Sequence, residues 1–265
     1  MIIKGLPKFS TEKELFSFLV ENEDTIFSQA KTQLKQADSI GYKPILLKQD
    51  FSNKSQEQIV EDLLSRDKIQ VAPVINTTGI LDSHEDVHIP KLWDKSLKEN
   101  KRMLHVQEHQ SQSFDKIISS GEDLKAYAKT ISWKELGYNF EGKTQALMFD
   151  STVRKERNEF MFKQYAKGYV DNHSVGMYYV KLATCINDED YPVQQENWEK
   201  YEQYIVNREA LDGRKYFWAV LEAKAIEGSS VPMGSNPFTP TTSIKNRNNQ
   251  GSLKTKAYLD WINKQ

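Results

Sequence analysis

The chain has 265 residues, 38% of them hydrophobic and 28% charged, a globular composition long enough for one large domain or a domain with an appendage. Its 36 basic and 37 acidic residues leave a formal net charge of -1, so no whole-molecule field recruits nucleic acid or an anionic membrane. The single cysteine, Cys185, excludes an internal disulfide framework and reads as a small core residue among Leu182, Ala183 and Ile186. No apolar run approaches the ~20 residues of a membrane span, and no basic segment leads into an apolar one at the start. A soluble, cytoplasmic chain is expected.

Thr11-Glu-Lys-Glu14 fits a capping box, and Leu15, Phe16, Phe18, Leu19, Ile26, Phe27, Ala30 and Leu34 follow at helical spacing. One helix is predicted, ended by Gly41 and Pro44. A second begins near Ser55-Gln-Glu-Gln58 and carries Ile59, Leu63 and Leu64. Residues 1–68 are thus expected to form a helical appendage, the other reading being that these helices cover one face of the main core.

Ile69 to Ile80 is rich in β-branched residues and reads as the first strand, with Pro73 suggesting an edge or a bend. His84-Glu-Asp-Val-His88 then matches the H-E-x-x-H zinc pattern, which requires both imidazoles on one face of a helix. The context opposes it. Val87 and Ile89 alternate as in a strand, and Pro90 disfavours helical geometry at Ile89. As a strand, the segment would put Asp82, His84, Asp86 and His88 on one face by their period of two, but a solvated polar turn is the commoner explanation and no metal or cofactor is expected.

Pro90 to Asn100 reads as a short helix, and Arg102 to His109 as a second strand with His109 near its end. Thr144 to Val153 is another strand, and Phe160 to Lys167 a helix stopped by Gly168. Ser174 follows where a loop enters a strand of alternating Val175, Met177 and Tyr179. Gln194 to Asn207 is a polar helical insertion whose aromatics read as packing residues. Tyr216 to Ile226 is strongly strand-like and runs into the turn-rich Glu227 to Pro237. Residues 242–265 read as a polar, basic linker with a short terminal helix from Leu253 to Ile262.

Three polar residues stand out at predicted strand ends: His109, Ser174 and Glu227. A serine hydroxyl is a poor nucleophile unless a base lies within hydrogen-bond reach, and an imidazole needs a carboxylate to hold its tautomer. These three residue types could supply that chemistry, but sequence alone does not bring them together.

Four pieces in order resemble the prohead (capsid maturation) serine proteases of tailed bacteriophages, a family similar in fold to herpesvirus assemblins. They are Gly79 to Pro90 followed by a helix with Trp93, Met103 to His109, Lys167 to Met177, and Ile226 to Pro237. The resemblance covers residues 69–241 and implies a serine protease domain there. It casts Ser174 as nucleophile, His109 as general base and Glu227 as third member. Because assemblins use a second histidine in that last role, His105 and His173 remain alternatives to Glu227. The expected fold is α+β, a mostly antiparallel β-barrel or curved sheet with surrounding helices, with oxyanion donors near Gly176 or Gly228. The substrates implied are capsid scaffold and major capsid protein, cleaved inside the assembling procapsid in the host cytoplasm, with self-association of the enzyme in view and no nucleic acid or membrane as partner. The alternative is a non-catalytic assembly or scaffolding protein that keeps the protease fold.

Overall fold

The computed structural model describes residues 7–35, 56–100 and 102–245. In chain order the elements are α1 (Glu12–Glu21), α2 (Glu23–Thr32), α3 (Gln56–Leu64), β1 (Lys68–Thr77), β2 (Asp86–His88), α4 (Asp94–Glu99), β3 (Leu104–Gln107), β4 (Ile117–Ser120), β5 (Leu124–Ser132), β6 (Lys143–Arg154), α5 (Glu159–Ala166), β7 (His173–Ile186), α6 (Pro192–Tyr201), β8 (Tyr216–Ser230) and β9 (Thr241–Lys245).

The architecture is α+β, with the described strands in two sheets and not in a closed barrel. One sheet has the order β5-β6-β1-β9 and is antiparallel throughout. The other is built on β8, which pairs antiparallel with β7 along its length. On its opposite edge β8 pairs parallel with β2 near its start and with β3 near its end, and β4 extends β3. Ile75, Leu147 and Phe149 of the first sheet pack against Val175, Met177, Tyr179, Val220, Ala223 and Ala225 of the second. Closure stops at β5, whose Lys125 and Lys129 stay in solvent and discourage a further strand from pairing.

Pro73 does not mark an edge. It lies in β1, paired on both sides, and the register with β9 shifts between Val71 and Pro73, where the missing N–H is absorbed by an irregularity in the ladder. The first predicted helix is broken in two at Asn22, whose backbone N–H and side-chain amide both donate to Phe18 O. The break lets both halves face the sheet. Leu19 and Ile26 bury against Trp218, Phe16 is also buried, and Ala30 joins the main core. Each large side chain so buried contributes about 1.5–3 kcal/mol. Helix α3 places Ile59 and Leu63 against Met161, Phe162 and Tyr165 of α5. Helices α1 and α2 therefore cover the main core and the cluster at Trp218, and α3 covers the separate cluster around α5.

The segment predicted as linker from residue 242 begins instead with β9, where Ile244 is buried opposite Val71. The terminal helix predicted over 253–262 lies outside the described residues, as do Gly41 and Pro44. Helix α6 is shorter than predicted, and its Trp198 and Tyr201 pack with Ile205, Phe217 and Cys185. Burial raises the Cys185 thiol far above its ordinary value, so it stays a neutral core group. Among the described residues no helix is long and apolar enough to cross a membrane.

Candidate functional site

The site is assembled on three adjacent strands, with β8 in the middle, β3 on one side and β7 on the other. Opposed residues of an antiparallel pair share a face, and residues two apart on one strand share it too. Ser174 opposes Ser229 and Gly176 opposes Glu227, so Ser174, Glu227 and Ser229 project from one face. Neighbouring strands lie only about 4.8 Å apart, which puts Ser174 beside the Glu227–Ser229 stretch.

His109 reaches that face through a turn. After β3 the chain enters the left-handed region at two successive residues, Glu108 (φ 49°) and His109 (φ 59°), a conformation that side chains other than glycine rarely adopt. Three hydrogen bonds hold it: Glu108 N–H to Ser230 O at 3.0 Å, His109 N–H to Ser229 Oγ at 2.7 Å, and Gln110 N–H to Gln107 O at 3.0 Å. The Ser229 hydroxyl donates in turn to Val106 O at 3.3 Å. The turn folds the histidine back over β8, where its Nδ1 lies 2.6 Å from Glu227 Oε1.

Glu227 is wholly buried and Ser174 is 5% exposed. Burial pushes the Glu227 carboxyl above its ordinary value, and the bond to His109 pulls it back. A carboxylate kept from water and bonded to one imidazole fixes that ring's tautomer and stabilises its protonated form. The two glycines are demanded by space. A Cβ on Gly176 would stand 2.1 Å from Glu227 Oε1, and one on Gly228 would stand 2.5 Å from Phe149 Cε2 and 2.8 Å from Ile75 Cδ1.

The other two histidines face the opposite way. His173 opposes Ser230 and His105 pairs with Gly228, on the side that meets Phe149 and Ile75. There Tyr165 OH is shared among His105 Nε2 (3.1 Å), His173 Nε2 (3.0 Å) and Ser230 Oγ (2.8 Å). His105 Nδ1 meets Ser151 Oγ at 2.8 Å, and His173 Nδ1 donates to Thr239 O at 2.8 Å. Burial holds His105 well below the ordinary histidine value, with His173 adding to the effect, and lowers His173 to about 4. Both rings are neutral parts of the core, and Glu227 is the group that meets His109.

The His84 to His88 segment is no helix. Glu85 is left-handed (φ 66°), Asp86–His88 is strand β2, and the zinc-protease geometry of two imidazoles one helical turn apart is absent. It is no solvated turn either, because Asp86 and His88 are buried. Ser229 is the site residue that the sequence did not single out, and its position two residues after Glu227 was the available signal. No family model, curated protein or solved structure matches this chain.

Proposed function

We propose that the chain is a serine endopeptidase of the prohead-protease type. The 2.6 Å contact between His109 Nδ1 and Glu227 Oε1 carries this reading, because it couples a partly exposed imidazole to a buried carboxylate on the face that presents Ser174. Ser174 Oγ attacks the scissile carbonyl while His109 Nε2 takes the hydroxyl proton, and the imidazolium is stabilised by Glu227. The collapsing intermediate expels the amine, which leaves with that proton, and an acyl-enzyme remains on Ser174. Water then attacks the ester, giving its proton to His109, and the acid departs as Ser174 is reprotonated. The four-piece resemblance names the substrates as capsid scaffold and major capsid protein, processed inside the procapsid.

The test is incubation of wild type and Ser174→Ala with purified capsid precursor, followed by electrophoresis of the products. Cleavage by wild type that falls at least ~10³-fold in the variant is expected, since the nucleophile acts as a unit with its base. Equal processing by both, or none by wild type, rejects the serine mechanism and leaves a non-catalytic capsid component.

A further inference from the structure

A second group of polar side chains, away from Ser174, is buried at the junction of β2 with the tail of the N-terminal helices. Asp82 Oδ1 accepts from the backbone N–H of His84 (2.8 Å) and of Asp86 (3.1 Å), which fixes the turn into β2. Asp82, Asp86 and His88 each offer a metal-ligating atom, and these atoms all lie within 4.8 Å of one another. Around a tetrahedral ion with ligand bonds of about 2.1 Å such atoms stand roughly 3.4 Å apart, so small side-chain rotations complete the set. Lys35 brings an ammonium into the group, and His84 Nδ1 lies 3.9 Å from Asp82 Oδ2. The Lys35 ammonium contacts Asp86 Oδ2, lies 3.7 Å from Asp82 Oδ2, and sits 5.1 Å from the centre of the Tyr179 ring.

The lysine does not account for every polar atom. Asp86 Oδ1, His88 Nε2 and Asn76 Oδ1 are buried without a hydrogen-bond partner among the described residues. Leaving such groups unmade costs about 1–3 kcal/mol each, and buried polar atoms are nearly always satisfied. The Asn76 amide meets His88 Nδ1 at 2.8 Å, and its two ends are interchangeable by rotation. With the oxygen turned to the ring, His88 Nδ1–H donates to Asn76 and the Nε2 lone pair becomes available to a metal. An outer hydrogen bond of that kind is how ligating histidines are oriented.

We propose that Asp82, Asp86 and His88 form a divalent-cation site of the zinc class, in which the Lys35 ammonium stands as a competing internal cation. One imidazole and two carboxylates leave a fourth position for water, a donor set that suits Zn²⁺ or Co²⁺. Lys35 is tied to β7 by its own backbone, N–H to Met177 O at 2.9 Å and Met177 N–H to Lys35 O at 3.3 Å. The ion and the lysine therefore compete for the same carboxylates, and removing the ammonium must tighten metal binding. The site stands or falls independently of the hydrolase reading.

The experiment is calorimetric titration of the full chain with ZnCl₂, together with thermal melts, for wild type, Lys35→Met, and Lys35→Met combined with His88→Gln or Asp86→Asn. Lys35→Met should bind one Zn²⁺ at least ~10-fold more tightly than wild type and melt at higher temperature when the ion is present. His88→Gln and Asp86→Asn should each abolish both effects. A folded Lys35→Met that binds no Zn²⁺, or binds it equally with His88→Gln and Asp86→Asn, overturns the proposal. Should Lys35→Met not fold, Co²⁺ titration of wild type decides: visible absorption bands that vanish in His88→Gln sustain the site, and their absence or persistence overturns it.

Discussion

The space that Gly176 lacks is filled by Glu227. A Cβ on the glycine would fall 2.1 Å from Glu227 Oε1 and 2.7 Å from its Cδ, so the carboxylate lies across β7 where any other residue would place a side chain. The same Oε1 holds His109 Nδ1 at 2.6 Å. One missing side chain thus sets the position of the acid that orients the imidazole.

Gly176→Ala is expected to push Glu227 aside and turn His109 out of line. Displacement of about 1 Å in such an arrangement costs ~10²-fold in rate. Overpacking of this kind costs about 1–3 kcal/mol of stability. Precursor cleavage by the folded variant should fall by ~10²-fold or more, mainly in kcat. Retention of wild-type turnover would show that the Glu227 position is unimportant to the reaction.

Tyr165→Phe removes the hydroxyl shared by His105, His173 and Ser230 on the far face of the same sheet. Several buried polar atoms lose a partner, which predicts a loss of about 1–3 kcal/mol in urea unfolding. Because this cluster faces away from Ser174, turnover per folded molecule should not change. A variant as stable as wild type would mean that other groups already satisfy the two rings.

The buried histidines also set an acid limit. Folding holds His173 at about 4 and His105 well below the 6.5 ordinary for the unfolded chain, so below pH 6.5 the unfolded state binds more protons than the folded one. The stability tied to these neutral rings is complete above about pH 6.5 and is lost progressively as pH falls toward the folded values. The slope is up to about 1.4 kcal/mol per pH unit for each ring. Urea midpoints measured from pH 7.5 to 4.5 should decline on acidification, and less steeply in a folded His173→Gln variant. A midpoint flat across that range would contradict neutral burial.

Local pattern was enough for much of the secondary structure, because propensity and periodicity act over a few residues. The alternation from Tyr216 to Ile226 lies within β8, the Gly168 stop follows α5 at φ 72°, and Thr11 Oγ1 caps α1 by accepting from Glu14 N–H at 3.2 Å, while the Glu14 carboxylate accepts from Ser10 N–H. Other features were not legible. Strand β5 alternates weakly, since Lys125, Lys129 and Thr130 leave it exposed, and no strand was predicted there. The break at Asn22 carries no glycine or proline, and depends on two half-helices both finding the sheet. The character of the His84 to His88 segment was also hidden, because an apparently polar turn is buried only by distant residues: β8 pairs with it, Lys35 meets Asp86 and Trp93 stands against His88.

The sequence by itself determined which residue types stand at the strand ends: a histidine that opens a polar loop, and a serine and a glutamate beside apolar and small residues. It could not pair them, because sequence separation says nothing about strand order, and His105, His109 and His173 were equal in composition. Tertiary structure made the choice through two physical facts. The period of two in a strand sends His105 and His173 to the opposite face from Glu227, and a left-handed turn at Glu108 and His109 carries the third imidazole over β8 to the 2.6 Å contact that the other two cannot make.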